Sequence, residues 1–192
     1  KVHSLNSKGY NNIHYINAYS VYTTDDIESL RNMFINEGYE GYVLRDPEAI
    51  HKEGRSSAVK PELWRWKPWI SAEILVTSIE EGETNLNEAK VNELGHTERS
   101  SHKENKVPNG MLGRIKGKLL ADLLDVSGKV IQNAGEEITV SPGDMKHSER
   151  KFYLDNPSEI VGNIVEFDYF AYGMKDTVRM PQFKRIRSER DM

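Results

Sequence analysis

The sequence of 192 residues contains no cysteine, which excludes a disulfide framework or a thiolate zinc site built from this chain. It has no apolar run near the roughly 18 residues that span a bilayer and no signal-peptide pattern, so we expect no membrane partner. The six histidines lack metal-ligand spacing such as His-Glu-x-x-His. Neither a glycine-rich P-loop nor a Gly-x-Ser-x-Gly element occurs.

The composition is that of an ordinary soluble protein, with 37% hydrophobic and 29% charged residues. Its length accommodates one large domain or two small ones. A net charge of −4 argues against a protein that binds nucleic acid through its overall charge. Local basic faces remain compatible with that charge, because binding depends on where lysine and arginine cluster.

Residues 40–68 contain two short apolar runs that carry charges at fixed places. Glu40 opens the first run and Arg45 closes it. An acid beside Gly41 at a strand start can hold a divalent metal or its bound water, although a solvated strand-end acid would look the same.

The second run alternates tryptophan with cations, in the order Trp64, Arg65, Trp66 and Lys67. On a strand, Arg65 and Lys67 would share one face, and the two tryptophans would pack on the other. Two cations on one face suit a polyphosphate. An amphipathic edge strand with its charges in water explains the pattern equally well.

The C-terminal run is basic and contains Arg179, Lys184, Arg185, Arg187 and Arg190. Arg185 and Arg187 would share a strand face, with Phe183 at the same parity. Such a run would bind phosphate in a nucleotide or a nucleic acid. A solvated basic edge that discourages strand aggregation is the alternative.

Periodicity predicts an α+β fold. In the first part we expect a strand at 13–22, a helix capped by Thr24 that ends near Glu37 before Gly38, and strands at 41–45 and 63–67. After a boundary at 69–72, the pattern predicts a small OB-type barrel with one helix before the final strand pair. Its expected elements are strands at 73–80, 111–124, 129–132, 137–140, 164–172 and 178–187, a short helix within the polar segment 82–109, and a helix from Ser141-Pro142 to Asn156-Pro157.

Together, these runs resemble the ATP-dependent DNA ligases, most closely the short two-domain enzymes of bacteriophages. The segment AYSVY, a helix and EGYEGYVLRDP are similar to that family's approach to its fourth nucleotidyltransferase motif, and EGRSS with LWRWKP to the loop and fifth motif. GKLLADLLD, PSEIVGNIVEFDYF and VRMPQFKRIR follow the OB domain in order and end in the sixth motif. The resemblance implies the C-terminal part of a nucleotidyltransferase (ATP-grasp-like) domain at 1–70 and an OB-fold β-barrel at 71–192.

The resemblance also implies roles for individual residues. Glu40 matches the acid implicated in Mg²⁺ binding, and Lys67 the lysine that contacts the nucleotide phosphates. Arg65 stands where the family usually has a lysine, which keeps the charge but changes its geometry. Arg179 and Arg187 match the arginines that orient the leaving pyrophosphate. The remaining expected contacts are Arg45 to the nucleotide, and Arg55, Lys184 and Arg185 to nucleic acid.

One family element is absent. The family's nucleophile is a lysine in Lys-x-Asp-Gly, and this sequence contains no such element. We therefore expect a ligase fragment whose lysyl-AMP forms on a lysine outside this chain, and which alone does not adenylate itself.

The implied reaction uses ATP and Mg²⁺ to seal nicked duplex DNA through enzyme-AMP and DNA-adenylate, in phosphoryl transfers driven by positioning and charge neutralisation. We also expect the protein to be a monomer in the cytoplasm, which is the host cytoplasm if a phage encodes the chain. The alternatives are an RNA ligase or capping-type nucleotidyltransferase, and a non-catalytic OB module that grips single strands. In the module, Phe167, Tyr169, Tyr172 and Phe183 would serve as stacking platforms.

Overall fold

A computed structural model describes residues 12, 16–50, 62–93 and 95–187 of the chain. They fall into two compact units that divide between Trp66 and Lys67. Within these described ranges, no helix is long and apolar enough to cross a membrane.

In the described part of the first unit, residues 24–36 form a helix, α1 (Thr24–Asn36). Thr23 is its N-cap: the Thr23 hydroxyl accepts a hydrogen bond from the Asp26 amide at 3.1 Å, and the Asp26 carboxylate accepts one from the Thr23 amide at 2.9 Å. This reciprocal pair satisfies two amides that a helix start leaves unbonded. Gly38, with φ of 85°, follows the helix end. The predicted helix is confirmed, with its cap one residue earlier than expected.

The described residues of this unit also include two short strands, β1 (Tyr42–Arg45) and β2 (Leu63–Trp66), which pair antiparallel. Tyr42 lies opposite Trp66, and their rings stack at 5.1 Å between centroids. The predicted strand at 13–22 is wrong for residues 16–22, which have no regular structure. Strand propensity is expressed only where a neighbouring strand is available for pairing.

The second unit is mainly a sheet. In chain order its elements are β3 (Ile70–Asn85), β4 (Ala89–Val91), β5 (Thr97–Arg99), β6 (Lys106–Leu119), β7 (Leu123–Leu124), β8 (Val130–Gln132), β9 (Glu137–Val140), α2 (His147–Asp155), a 3₁₀ turn (Pro157–Glu159), β10 (Ile164–Phe170) and β11 (Arg179–Ile186). Five of the strands form one antiparallel sheet in the order β11-β10-β3-β6-β9. The predicted mixed α+β class and the helix before the last strand pair are confirmed.

The two outer strands of this sheet meet at Ser141, which follows β9. Its amide donates to the Pro181 carbonyl at 3.0 Å, and its own carbonyl accepts from the Phe183 amide at 2.9 Å. These bonds form a parallel bridge between Ser141 and Gln182 of β11. The sheet therefore curls until its edges touch, and this curled five-stranded sheet is called the barrel below. Its concave side encloses the core, which contains Ile74, Val76, Leu112, Ile115, Val140, Val165 and Phe167.

The role of Ser141 in this bridge explains one wrong prediction. The Ser141-Pro142 pair predicts a helix that begins at Pro142, but α2 begins five residues later, at His147. There the Lys146 amide donates to the Glu149 carboxylate at 2.7 Å. Pairing across the barrel outweighed a local capping pattern, whereas the predicted stop at Asn156-Pro157 is confirmed.

The polar segment 82–109 is a β-structured arm, so the short helix predicted there is wrong. β3 and β6 run past the barrel as a pair, and β4 and β5 form a hairpin at the end of it. Asn87, only 5% exposed, donates to the carbonyls of Ser100 and His102 at 3.0 and 2.8 Å. A polar side chain that bonds the opposite backbone holds the hairpin closed without an apolar core.

Candidate functional site

The ladder of β1 and β2 places two of the predicted phosphate ligands together. Val43 pairs with Arg65, and Arg45 pairs with Leu63, so both arginines lie on the same face of the two strands. Both are exposed. The opposite face carries the Tyr42–Trp66 stack, and the Arg31 guanidinium of α1 lies 5.5 Å from the Trp66 ring. One face therefore contacts the helix at Trp66, while the other presents two cations.

Lys67 is placed differently from the prediction. β2 ends at Trp66, and Lys67 belongs to the second unit, where its Nζ lies 5.6 Å from the centroid of Phe170 on β10. The expected packing of both tryptophans in a core is also wrong, because Trp64 is 47% exposed.

Glu40 lies two residues before the start of β1 and is half-buried. In the described ranges, no three histidine, aspartate or glutamate side chains are grouped as a metal site. Mg²⁺ is commonly held by one or two carboxylates together with substrate phosphates and water. Glu40 fits that pattern as a single protein ligand. Arg55 lies outside the described residues.

The two arginines matched to the sixth motif make defined contacts in the barrel. Arg179 stands opposite Phe170, and one terminal nitrogen of its guanidinium donates to the Tyr172 carbonyl at 2.8 Å. Arg187 follows β11, and its Nε lies 2.7 Å from the Glu73 carboxylate of β3. Its side chain is 24% exposed.

Glu166 on β10 is the centre of an ion-pair network that the sequence did not reveal. Its two oxygens lie 2.9 Å from Lys184 Nζ and 2.8 Å from Arg185 Nε, and one lies 3.7 Å from Arg187. Lys184 also contacts Asp168 at 3.2 Å. The hydrogen bonds from Lys184 and then Arg185 lower the pKa of Glu166 to about 2. The cations expected to bind nucleic acid are thus engaged by carboxylates.

A β-bulge determines which of these side chains share a face. The ladder between β10 and β11 shifts register between Glu166 and Phe167, so Lys184 and Arg185 both reach Glu166 although they are consecutive. Arg187, which follows the strand, also approaches this carboxylate, at 3.7 Å. Phe183 packs against the core instead, so the expectation that it shares their face is wrong.

The aromatic residues suggested as stacking platforms are mostly inside the barrel. Phe167 is 0% and Tyr169 is 4% exposed, so neither can receive a base. Tyr172 and Phe183 are half-buried. A signal for this existed in the sequence, because IVEFDYF alternates acids with apolar residues and thereby marks Val165, Phe167 and Tyr169 as one inward face.

Comparison with known proteins finds DNA ligases. Over 70 residues the chain is 31% identical to a DNA ligase of African swine fever virus (isolate Tick/Malawi/Lil 20-1/1983). The matched region is 36% of this chain and 17% of that protein. Over 75 residues it is 34% identical to the DNA ligase of Enterobacteria phage T3, which covers 38% of this chain and 20% of that protein. No protein-family model matches.

The fold gives a wider match than the sequence. A solved structure of a Lig E DNA ligase superposes with a TM-score of 0.53 at 19% identity, over 88% of this chain and 48% of that chain. The chain thus covers about half of that ligase and a fifth or less of the two curated relatives. It is similar to DNA ligases in sequence over part of its length, and in fold over most of it.

Proposed function

We propose that the chain supplies the C-terminal part of the nucleotidyltransferase domain and the OB domain of an ATP-dependent DNA ligase, a cytoplasmic monomer that seals nicks in duplex DNA. The observation that carries the proposal is the sequence match to DNA ligases of a virus and a phage, at 31% and 34% identity. Enzyme-AMP and DNA-adenylate are the intermediates, and the lysine that carries AMP lies outside this chain.

In this proposal the first unit binds the nucleotide. Arg45 and Arg65, which lie on the same exposed face of the β1–β2 ladder, neutralise phosphate oxygens. Glu40 provides one carboxylate to Mg²⁺, which when bound would neutralise charge that develops on the phosphates. Cations around the phosphates lower the barrier to phosphoryl transfer, because they stabilise the negative charge that the transition state spreads over the phosphate oxygens.

The second unit contributes the remaining cations. Lys67 contacts the phosphates during transfer, and Arg179 and Arg187 orient the pyrophosphate that leaves. Lys184 and Arg185, together with Arg55 in the first unit, bind the DNA backbone. Because carboxylates hold Lys184 and Arg185 in this structure, their contribution to DNA binding requires that phosphate compete with Glu166 and Asp168.

The test is ATP-dependent joining of a labelled nicked duplex by the full-length protein that contains this chain. Joined DNA, and an adenylated protein after incubation with labelled ATP and Mg²⁺, are the expected results. Better joining of nicked RNA would favour the RNA ligase alternative. Equal affinity for intact single strands and nicked duplex, without joining, would favour a non-catalytic module.

Two variants sharpen the test. Lys67→Ala should reduce adenylation at least tenfold and leave the melting temperature unchanged, whereas Lys175→Ala, which removes the same charge from an exposed loop, should change neither. Unchanged adenylation with a lowered melting temperature would assign Lys67 a structural role. Stable adenylation of this chain by itself would contradict the placement of the nucleophile elsewhere.

A further inference from the structure

An aromatic pair lies on the outside of the barrel at the start of the second unit. The rings of Trp69 and Phe170 stack at 3.8 Å between centroids with an interplanar angle of 21°. Phe170 is 9% exposed, whereas Trp69 is 43% exposed. The indole is therefore held against a second ring and still offers a large part of its surface to solvent.

Positive charge flanks this pair. Lys67 Nζ lies 5.6 Å from the Phe170 centroid, and Arg179 is the residue opposite Phe170 in the β10–β11 ladder. Asp168, two residues before Phe170 on β10, is bound by Lys184 at 3.2 Å and accepts a hydrogen bond from Ser71 at 2.6 Å. The acid nearest to Phe170 along the strand is thus already engaged by a cation.

A planar, partly exposed ring that is fixed from one side and flanked by cations has the chemistry to receive a nucleobase with its phosphate. We propose that Trp69 is a stacking platform for an unpaired base of a nucleic-acid strand. The inference rests on the proposed function only in taking nucleic acid as the partner. It concerns a residue to which no role in joining was assigned above.

A strand fits this surface better than a free nucleotide. Removing one stacking side chain typically lowers affinity by about 5- to 150-fold, so one stacked base alone gives weak binding. A strand adds contacts from neighbouring phosphates to that one stack. The exposed face of Trp69 therefore favours a polymer, whereas a mononucleotide needs a concave pocket that surrounds it.

The experiment measures binding of this chain to a single-stranded oligonucleotide and to an abasic strand of the same length. Trp69→Ala should weaken binding to the normal strand by about tenfold and leave binding to the abasic strand unchanged. Trp69→Phe should retain most of the affinity because a phenyl ring also stacks. Phe152→Ala, at another exposed aromatic that is 50% accessible, should leave both affinities unchanged.

Fluorescence provides a second measurement that does not depend on removing the ring. Replacing Trp64 and Trp66 by phenylalanine leaves Trp69 as the remaining one of three tryptophans, and a stacked base should quench its emission. Quenching by the normal strand and not by the abasic strand supports the inference. Equal quenching by the two strands overturns it, and so does an unchanged affinity of the Trp69→Ala variant. Quenching by ATP at the same base concentration would also overturn it, because the ligand would then be a free nucleotide and not a strand.

Failure of this inference is distinguishable from failure of the proposed function. Base-dependent binding to a single strand is measured without joining or ATP, so a protein that joins nothing can still pass. A protein that seals nicks while Trp69→Ala leaves strand affinity unchanged would refute the stacking platform alone.

Discussion

Arg187, directly after β11, and Glu73 on β3 form an ion pair at 2.7 Å although β10 lies between these two strands. The arginine side chain crosses β10, where it passes 3.7 Å from Glu166. One guanidinium therefore connects the last strand of the barrel to the first. An arginine expected to act on a nucleotide is at the same time part of the bonding that holds the sheet together.

Glu166→Gln should lower the free energy of unfolding by about 1–3 kcal/mol, because a mostly buried carboxylate with charged partners loses its charge-assisted hydrogen bonds. The measurement is urea denaturation of this chain. Asp155→Asn is the matched control, since the pair of Lys151 and Asp155 is exposed and should contribute no more than about 0.5 kcal/mol. A loss equal to that of the control would contradict a structural role for the network.

The same carboxylate predicts a dependence of stability on pH. Lys184 and Arg185 lower the pKa of folded Glu166 from 4.5 to about 2, so the folded state favours the charged form. This contribution is complete above the unfolded pKa and is lost as pH falls toward the folded one. Between pH 5 and pH 2, the difference in unfolding free energy between the wild type and Glu166→Gln should shrink. A difference that stays constant over this window would refute the assignment.

Thr23→Ala should destabilise α1 by about 1 kcal/mol because the Asp26 amide loses its capping acceptor. Amide hydrogen exchange in α1 measures this, and faster exchange in the first turn is the expected result. Thr24→Ala, one residue into the helix, should have little effect. The opposite order of the two variants would place the cap at Thr24, as the sequence alone suggested.

Gly143→Ala should destabilise the barrel more than Gly128→Ala. Both glycines have positive φ, 57° and 82°, so both variants carry the cost of a left-handed alanine, about 1 kcal/mol. A Cβ at Gly143 would also lie 2.8 Å from the Phe183 carbonyl oxygen, whereas a Cβ at Gly128 meets nothing within 4 Å. Equal melting temperatures for the two variants would show that the chain near Gly143 can move away.

The sequence predicted most elements whose signals are local. The capping residues and Gly38 marked α1, and the strand predicted at 164–172 contains β10. What escaped prediction depends on distant partners: Ser141 pairs with β11 instead of capping a helix, and Glu166 meets three cations across a bulge. The same holds for the candidate site. The charges within two short apolar runs identified Arg45 and Arg65, but only the pairing of β1 with β2 showed that they lie on one face.

The bridge at Ser141 also has a consequence for the order of folding. Its hydroxyl and backbone bond to residues about 40 positions later, and β11 is the last strand of the barrel. Pairing between such distant residues loses loop-closure entropy before the contacts that stabilise it have formed. During synthesis, the barrel stays open until β11 has left the ribosome, so deletion of residues 179–187 should leave an aggregation-prone chain with an unpaired β10 edge.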